Sequence, residues 1–288
     1  MPPKLTTASK ILSSLVSHGS TPSLVSRSPS LSYTHLSLAR RAVAVSLGLS
    51  SLGFTPGSKI ATCLGNTADN VTLQLAASFA AVSTITCKVP SAIPRAAEAM
   101  DCIGSANDQS RDGLIISGGT ERVSLAVLVS QFEADARNYV TDFPEFKEEA
   151  RFYYGTLDES RSVSLTELYE QGEATKALAA LTAADSVCLP LSLNHSMGFG
   201  FGVLSAVSAG ARVVLPADGV EGDAMKAMVE EKCSVLFADD HTYRALPSKP
   251  TAWARRGVVK IGAGNGFNEG GEERKWGAVP FVTVGTPK

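Results

Sequence analysis

Residues 59–89 read KIATCLGNTADNVTLQLAASFAAVSTITCKV, and this stretch decides the fold. Its first six residues form a short apolar run that is typical of a buried strand. Residues 66–70 can cap a helix that continues to Val82. Residues 83–89 are again rich in residue types that favour strands. A strand, a helix and a second strand joined by tight turns predict two parallel strands of one sheet.

The same alternation of strands and helices extends over most of the chain. It predicts an α/β fold in which mostly parallel sheets are flanked by helices, and we expect a doubly wound topology. We expect residues 90–111 to be irregular and residues 141–151 to be exposed. The predicted helices cover residues 38–52, 71–82, 124–138, 165–181, 199–209 and 222–232, and the predicted strands cover 59–64, 83–89, 112–117, 186–191, 212–215, 234–238, 258–262 and 281–284.

The composition limits the classes of partner and ligand. The 26 basic and 28 acidic residues nearly balance, and no basic stripe alternates with aromatic residues, so we expect no nucleic-acid partner. The five cysteines lie far apart without a C-x-x-C pair, so neither a zinc site nor a disulfide framework is expected. Residues 187–211 carry no formal charge, but Pro190, Asn194 and several glycines divide them into strand, loop and helix. We therefore expect no membrane span.

The first 30 residues differ from the rest of the chain. They are basic and serine-rich, and the first acidic residue of the sequence is Asp69. An amphipathic start of this composition is typical of mitochondrial or plastid transit peptides. One helical face can carry the apolar side chains of Leu5, Ile11, Leu12, Leu15 and Val16. Two interpretations of residues 1–30 stay open. They form either a targeting segment or the first helix of the domain.

Several segments match, in order, the motifs of one protein family. Residues 31–36 (LSYTHL) resemble L-T-Y-x-E-L, residues 52–61 (LGFTPGSKIA) resemble L-G-x-x-x-G-D-x-V-A, and residues 64–67 (LGNT) resemble L-P-N-S. Residues 190–198 (PLSLNHSMG) look like P-L-x-H-x-x-G, and residues 209–216 (AGARVVLP) fit G-A-x-V-V-L-P. These motifs resemble the N-terminal domain of the adenylate-forming superfamily, which comprises acyl-CoA synthetases and related AMP-binding ligases. The resemblance implies the α/β fold of that domain.

The resemblance places the family's ATP phosphate loop, roughly [ST]-G-[ST]-[ST]-G-x-P-K-G-V, on residues 154–163 (YGTLDESRSV). Gly155 and Thr156 match the pattern, and Arg161 stands where the family has lysine. The resemblance therefore implies that these three residues are what is left of a cofactor-binding loop. The chain departs from the pattern at Leu157, which replaces a hydroxyl residue, at Ser160, which replaces proline, and at Asp158 and Ser162, which replace glycines.

The departures in this loop work against ATP binding. Phosphate loops use glycines so that consecutive backbone N–H groups can turn toward the oxygens. Asp158 and Glu159 add negative charge beside a polyanion, and one like-charge pair at about 5 Å costs about 3 kcal/mol at an effective dielectric constant of about 20. Mg²⁺ and Arg161 would offset only part of this cost. We therefore expect no nucleotide cofactor, and an exposed turn that leads into the helix at Leu165.

The family's Y-G-x-T-E motif, which contacts AMP and metal, falls on residues 284–288 (VGTPK). The aromatic residue is replaced by Val284, and Lys288 occupies the position of the glutamate. We expect the C-terminal ligase subdomain, with its catalytic lysine, to be absent.

His195 and Gly198 correspond to family positions near the acyl pocket, so the resemblance implies a residual acyl pocket there. The alternative is that His195 is a polar loop residue packed against Gly198. His241 follows Asp239 and Asp240, but no further ligand cluster accompanies them, and we expect a solvated loop rather than a metal site.

These observations predict a catalytically inactive acyl-CoA synthetase-like domain over residues 31–288. We expect it to act as a structural or accessory subunit that binds other proteins of a large complex, such as a respiratory-chain or ATP-synthase assembly. The basic start favours a mitochondrial location, with the cytoplasm as the alternative. Two other functions stay open. One is an active AMP-forming ligase, with Arg161 acting for lysine and a partner chain supplying the missing domain. The other is a module that binds an acyl or CoA ligand.

Overall fold

The computed structural model describes residues 5–110, 113–140, 148–155, 157–158, 162–217, 222–238, 257–262 and 282–285. The strands in these ranges are β1 (Pro22–Arg27), β2 (Ser30–Thr34), β3 (Lys59–Cys63), β4 (Ser83–Thr86), β5 (Gly104–Ser110), β6 (Gly113–Gly118), β7 (Glu121–Ser124), β8 (Arg151–Tyr154), β9 (Val163–Ser164), β10 (Ser186–Cys188), β11 (Arg212–Leu215), β12 (Val235–Ala238), β13 (Gly257–Gly262) and β14 (Val282–Gly285).

The helices cover one face or the other of these strands. They are α1 (Thr7–His18), α2 (His35–Ser51), α3 (Ala68–Phe79), α4 (Ile93–Ala99), α5 (Leu125–Tyr139), α6 (Leu165–Leu178), α7 (Ser205–Ala209) and α8 (Asp223–Glu230), together with a 3₁₀ turn (Pro90–Ala92) and a π-helix (Met197–Leu204).

The predicted strand–helix–strand unit is confirmed as β3–α3–β4. The two strands are parallel, and Ile60 lies opposite Thr84 in the ladder. Thr67 caps α3, because its hydroxyl oxygen accepts a hydrogen bond from the Asn70 backbone N–H at 3.2 Å. The helix is buried along almost its whole length, and its buried polar side chains, such as Asn70 and Gln74, make hydrogen bonds.

The predicted α/β class with mostly parallel sheets flanked by helices is confirmed, and the described strands form two sheets. The first sheet has the order β14-β13-β12-β10-β11-β1-β2, and the second has the order β7-β6-β5-β3-β4-β8-β9. Both sheets are parallel at their centres. Antiparallel neighbours occur at one edge of the first sheet and at both edges of the second.

Buried side chains divide the described residues into five layers. The α2 and α3 helices share one apolar cluster with the first sheet, which includes Val187 and Val213, and a second cluster with β3, β5 and β6. The outer face of the first sheet, which carries Cys188 and Val214, packs on α8, and α4 covers the outer face of the second sheet. The sheets are therefore separated by helices, and the loops at their carboxyl ends lie near each other.

Six strands lie where the sequence pattern predicts none, namely β1, β2, β5, β7, β8 and β9. The β1 strand is an example, since its sequence PSLVSR contains two serines that are buried between β2 and β11. One partner strand, β2, follows directly in the chain, but the other, β11, lies far away in it. Neither the propensity nor the periodicity of residues 22–27 indicates this burial.

The α1 helix is part of the folded core. Ile11 and Leu15 are completely buried, and the Ser14 hydroxyl donates a 2.8 Å hydrogen bond to the Val207 carbonyl oxygen. Leu5, which was expected on the same apolar face, is 51% exposed. Residues 7–18 thus form a helix that packs into the described core. Within the described residues, no helix combines the length and the apolar character that crossing a bilayer requires.

His35, at the start of α2, is a buried ionisable residue. The ring is fully buried, and its Nδ1 lies 3.0 Å from the Thr21 hydroxyl and 3.1 Å from the Thr21 carbonyl oxygen. Burial lowers the pKa of His35, and the neighbouring His18 ring, 5.3 Å away between centroids, lowers it further.

We expect the free energy of unfolding to fall as the pH is lowered from 7.5 to 5.5. A histidine whose pKa is lower in the folded than in the unfolded state binds its proton preferentially in the unfolded state, so stability begins to be lost near the ordinary pKa of about 6.5. The limiting slope is about 1.4 kcal/mol per pH unit. Urea unfolding at several pH values measures it. His35→Gln should flatten the slope, and an unchanged slope in this variant would refute the assignment.

Candidate functional site

The candidate site lies where the carboxyl ends of parallel strands from both sheets meet. In α/β folds this is the edge at which ligands bind. Here the segment after β3 contacts the segment after β10. The Asn66 side-chain amide donates to the Leu191 carbonyl oxygen at 3.2 Å, and its oxygen accepts from the Leu193 N–H at 2.8 Å. These two bonds tie the loops of the two sheets together.

A row of side-chain amides on α3 extends this connection. Asn70 donates to the Gly65 carbonyl oxygen at 2.8 Å and to the side-chain oxygen of Asn194 at 3.2 Å. Gln74, one helical turn later, donates to Asn70 at 2.9 Å and to the Leu193 carbonyl oxygen at 3.0 Å. Asn194 in turn donates to the Leu64 carbonyl oxygen at 2.6 Å. Amides can hold and orient a polar ligand, but they do not transfer protons at neutral pH.

Tyr154, the last residue of β8, completes this row. Its hydroxyl group donates a long, 3.4 Å hydrogen bond to the Gln74 side-chain oxygen. Its ring stacks on Phe152 at a centroid distance of 6.0 Å and on His195 at 6.2 Å. Burial of the hydroxyl group raises the pKa of Tyr154 far above its ordinary value, so the phenol is neutral across the physiological range.

His195 lies at the surface, at the start of the segment that enters the π-helix. Its Nδ1 accepts a hydrogen bond from the Met197 backbone N–H at 3.2 Å, so a neutral ring carries its proton on Nε2. Partial desolvation of the ring lowers the pKa of His195. These contacts give His195 the character of a polar loop residue, and they pair it with no described carboxylate.

Gly198 is required by backbone packing. A Cβ atom built on it would lie 2.6 Å from the Ser192 carbonyl carbon and 2.8 Å from the Leu193 nitrogen. Both distances are far below van der Waals contact, and backbone atoms cannot move aside as a flexible side chain can. The close approach of the π-helix to the 192–193 segment thus accounts for the glycine without a ligand.

The loop that corresponds to the family's phosphate loop belongs to a hairpin formed by β8 and β9. Gly155 has a φ of +66°, in the left-handed region that favours glycine. Asp158 is exposed, whereas Ser162 is buried and is held by Arg151, whose Nε donates to the Ser162 hydroxyl at 2.7 Å and whose Nη2 donates to its carbonyl oxygen at 3.3 Å. Thr156 and Arg161 lie outside the described residues.

The expected turn into the following helix ends at Ser164, which caps α6. The Ser164 hydroxyl accepts from the Glu167 N–H at 3.2 Å, and the Glu167 carboxylate accepts from the Ser164 N–H at 2.7 Å. This reciprocal pair is a capping box. The hydrogen bonds from Ser164 hold the pKa of Glu167 below its ordinary value. The carboxylate therefore has a structural role here.

Two cavities among the described residues lie away from this edge. One, of about 430 Å³, lies among the start of α1, the end of α3 and the start of α6, and is lined by residues that include Lys10, Phe79 and Thr166. Another, of about 390 Å³, lies between α4 and the strands β5 to β7. In the described ranges, no group of three or more His, Cys, Asp or Glu side chains is placed to hold a metal ion. Asp239, Asp240 and His241 fall outside these ranges.

The two-sheet architecture resembles the fold of the N-terminal domain of adenylate-forming enzymes. Comparison with solved structures shows this fold over about nine-tenths of the chain, at sequence identities too low to show more than the fold. A scan against protein-family models finds no match, and a search of curated proteins finds none either.

Three structures illustrate the similarity. VinN in complex with L-aspartate has a TM-score of 0.70 and 14% identity, over 90% of this chain and 73% of VinN. The inhibitor-bound N-terminal domain of FACL13 from Mycobacterium tuberculosis has a TM-score of 0.69 and 14% identity, over 90% of this chain and 70% of that domain. ATP-bound MatB from Rhodopseudomonas palustris has a TM-score of 0.64 and 13% identity, over 88% of this chain and only 55% of MatB.

Proposed function

We propose that this chain is a catalytically inactive acyl-CoA synthetase-like domain that serves as a structural or accessory subunit of a larger assembly. The observation that carries the proposal is the loop between β8 and β9. Two positions that are glycines in the family pattern are Asp158 and Ser162: Asp158 adds a negative charge, and Ser162 adds a side chain where the pattern has none.

Ser162 is committed to the hairpin. Its hydroxyl and carbonyl oxygens both accept hydrogen bonds from the Arg151 side chain. The Arg151 guanidinium group thus binds the protein rather than a phosphate. Asp158, between β8 and β9 in the chain, is exposed, and its carboxylate would repel a triphosphate there. A loop of this composition keeps the hairpin but loses the row of glycine amides that cradles phosphate.

The remaining polar groups of the site support the same proposal. Four side-chain amides at this edge form hydrogen bonds with one another or with backbone carbonyl groups, and they join the two sheets. They belong to Asn66, Asn70, Gln74 and Asn194. The Nδ1 lone pair of His195 accepts from the Met197 N–H, and no described carboxylate orients the ring as a general base. These polar groups thus stabilise the connection between the two sheets. A rigid domain of this kind suits a subunit that binds other proteins through its surface.

For the compartment, we propose a mitochondrial location directed by the basic N-terminal segment, with the α1 helix retained in the folded domain. Deleting residues 1–18 would remove core side chains, so charge reversal is the cleaner test. We expect the double variant Lys4→Glu, Lys10→Glu of a fluorescent fusion to lose mitochondrial delivery, because positive charge is what such segments require. An unchanged distribution would end this part of the proposal, and the cytoplasm would then be the favoured location.

The accessory role predicts that the native protein migrates as part of a complex. We expect size-exclusion chromatography of a gently lysed source to place the chain well above its own mass of 30.1 kDa, together with co-migrating subunits. Respiratory-chain and ATP-synthase complexes are the first assemblies to probe with antibodies. Elution as a lone monomer at physiological salt would contradict an accessory role, whatever the chain's catalytic state.

The second candidate is an active AMP-forming ligase, which is favoured by the fold shared with ATP-bound MatB. It would need Arg161 to act for the lysine and a further domain to complete the site. A third candidate is an acyl- or CoA-binding module at His195 and Gly198. Calorimetric titration with an acyl-CoA tests it, and measurable heat at micromolar ligand would favour it over the subunit proposal.

A further inference from the structure

The last residue of β8 has an aromatic side chain, whereas the phosphate-loop pattern has serine or threonine at this position. Tyr154 is that residue, and its ring lies between Phe152 and His195. Phe199, at the start of the π-helix, packs against Phe152 at a centroid distance of 5.5 Å. The walls around the Tyr154 ring are therefore aromatic, and Gln74 offers an amide oxygen to its hydroxyl group.

The ring of Tyr154 borders an exposed residue on one side, whereas its hydroxyl group is buried. Tyr154 is half-buried, and His195, which stacks on its ring, is exposed. The fully buried aromatic residues Phe152 and Phe199 form the inner side of the ring's surroundings. Aromatic walls, one hydrogen-bond acceptor at the inner end and an exposed outer side are the features of a site for a flat ring that carries a hydroxyl group.

We propose that Tyr154 is an internal plug, whose ring occupies a slot that would otherwise bind the aryl group of a small phenolic ligand. The inference deepens the proposed function and rests on it, because an occupied slot keeps the site closed. Shortening the side chain should open the slot while the surrounding walls stay in place.

The test compares wild type, Tyr154→Phe, Tyr154→Ser and Tyr154→Ala. The serine variant restores the small hydroxyl residue of the family pattern, and the alanine variant serves if the serine variant does not fold. The probes are p-cresol, which is the tyrosine side chain as a free molecule, and 3-(4-hydroxyphenyl)propionate, which has the same ring with an added chain. Calorimetry measures binding, and the NMR signals of the His195 ring report its location.

We expect both probes to bind the serine or alanine variant about 10- to 100-fold more tightly than wild type or Tyr154→Phe, which is the factor that burying one ring supplies. Both probes should shift the His195 signals. The longer probe separates a ligand slot from a closed cavity, since a closed cavity accepts p-cresol alone.

Three results would overturn the proposal that Tyr154 is a plug. They are binding of neither probe to a folded small-residue variant, binding of p-cresol without the longer probe, and equal binding to wild type. None of these results depends on whether the wild-type chain uses ATP, so a failure of the plug is distinguishable from a failure of the proposed inactive state.

Discussion

Leu15→Ala is expected to lower the free energy of unfolding by about 2–5 kcal/mol, which is the range for deleting a buried leucine side chain. Leu15 lies in α1 with no exposed surface, in the apolar cluster that also contains α2, α3, α6 and the first sheet. The expected loss places α1 in the domain core. A presequence that is cleaved off would not contribute in this way.

Ser13→Ala is the matched control on the same helix, because Ser13 faces solvent and its replacement leaves no cavity. Chemical unfolding of both variants, with equal m-values, gives the comparison. A loss below about 0.5 kcal/mol in Leu15→Ala, within the range of an ordinary surface substitution, would show that α1 is not packed as described.

Gly198→Ala is expected to cost about 3 kcal/mol, at the upper end of the range for overpacking a well-filled site. The added methyl group would meet backbone atoms of Ser192 and Leu193, so the π-helix must shift away from the 192–193 segment. Because that segment also carries the bonds from Asn66 and Gln74, we expect the strain to spread into the amide row.

Gly155→Ala is the matched comparison at the other glycine retained from the family pattern. A Cβ there has its closest described neighbour, the Lys88 Cε, at 3.9 Å, which is an ordinary contact. The cost comes from the positive φ alone and is about 1–2 kcal/mol. If thermal unfolding showed Gly155→Ala to be the more damaging substitution, the packing explanation for Gly198 would be wrong.

Local signals sufficed for the centre of each sheet. The β3–α3–β4 unit is confirmed because its apolar strands, its cap and its helix are encoded within 28 residues. The β11 strand has the predicted bounds, since the Gly210 helix end and Pro216 frame it in the sequence. In contrast, β1 and β8 depend on partners elsewhere in the chain, so no local pattern indicates them.

The candidate site was only partly predictable. Asn66 and His195 stand in motifs that the sequence displays, and the spacing of Asn70 and Gln74 places both on one face of a helix. That spacing is the signal that could have identified the amide row. The contact of this row with Asn194, 120 residues or more away, follows from the meeting of two sheets and cannot be read from the sequence.

Tyr154 shows why the rest was missed. In the sequence it appears as one aromatic residue in the run Phe152-Tyr153-Tyr154, and alternation along a strand divides such a run between two faces. The structure places Tyr153 in the cluster under α4 and Tyr154 against His195. The register of β8 beside β4 decides whether Tyr153 or Tyr154 lies toward the site. That register is set by tertiary pairing.

The measurement that tests the central claim most directly is ATP–pyrophosphate exchange by the purified wild-type chain, with Mg²⁺ and a panel of short, long and aromatic carboxylic acids. Our account predicts exchange no faster than in a protein-free blank, while an active acyl-CoA synthetase assayed in parallel gives robust exchange. Exchange well above the blank that is abolished by Arg161→Ala would contradict the account and establish an active AMP-forming ligase.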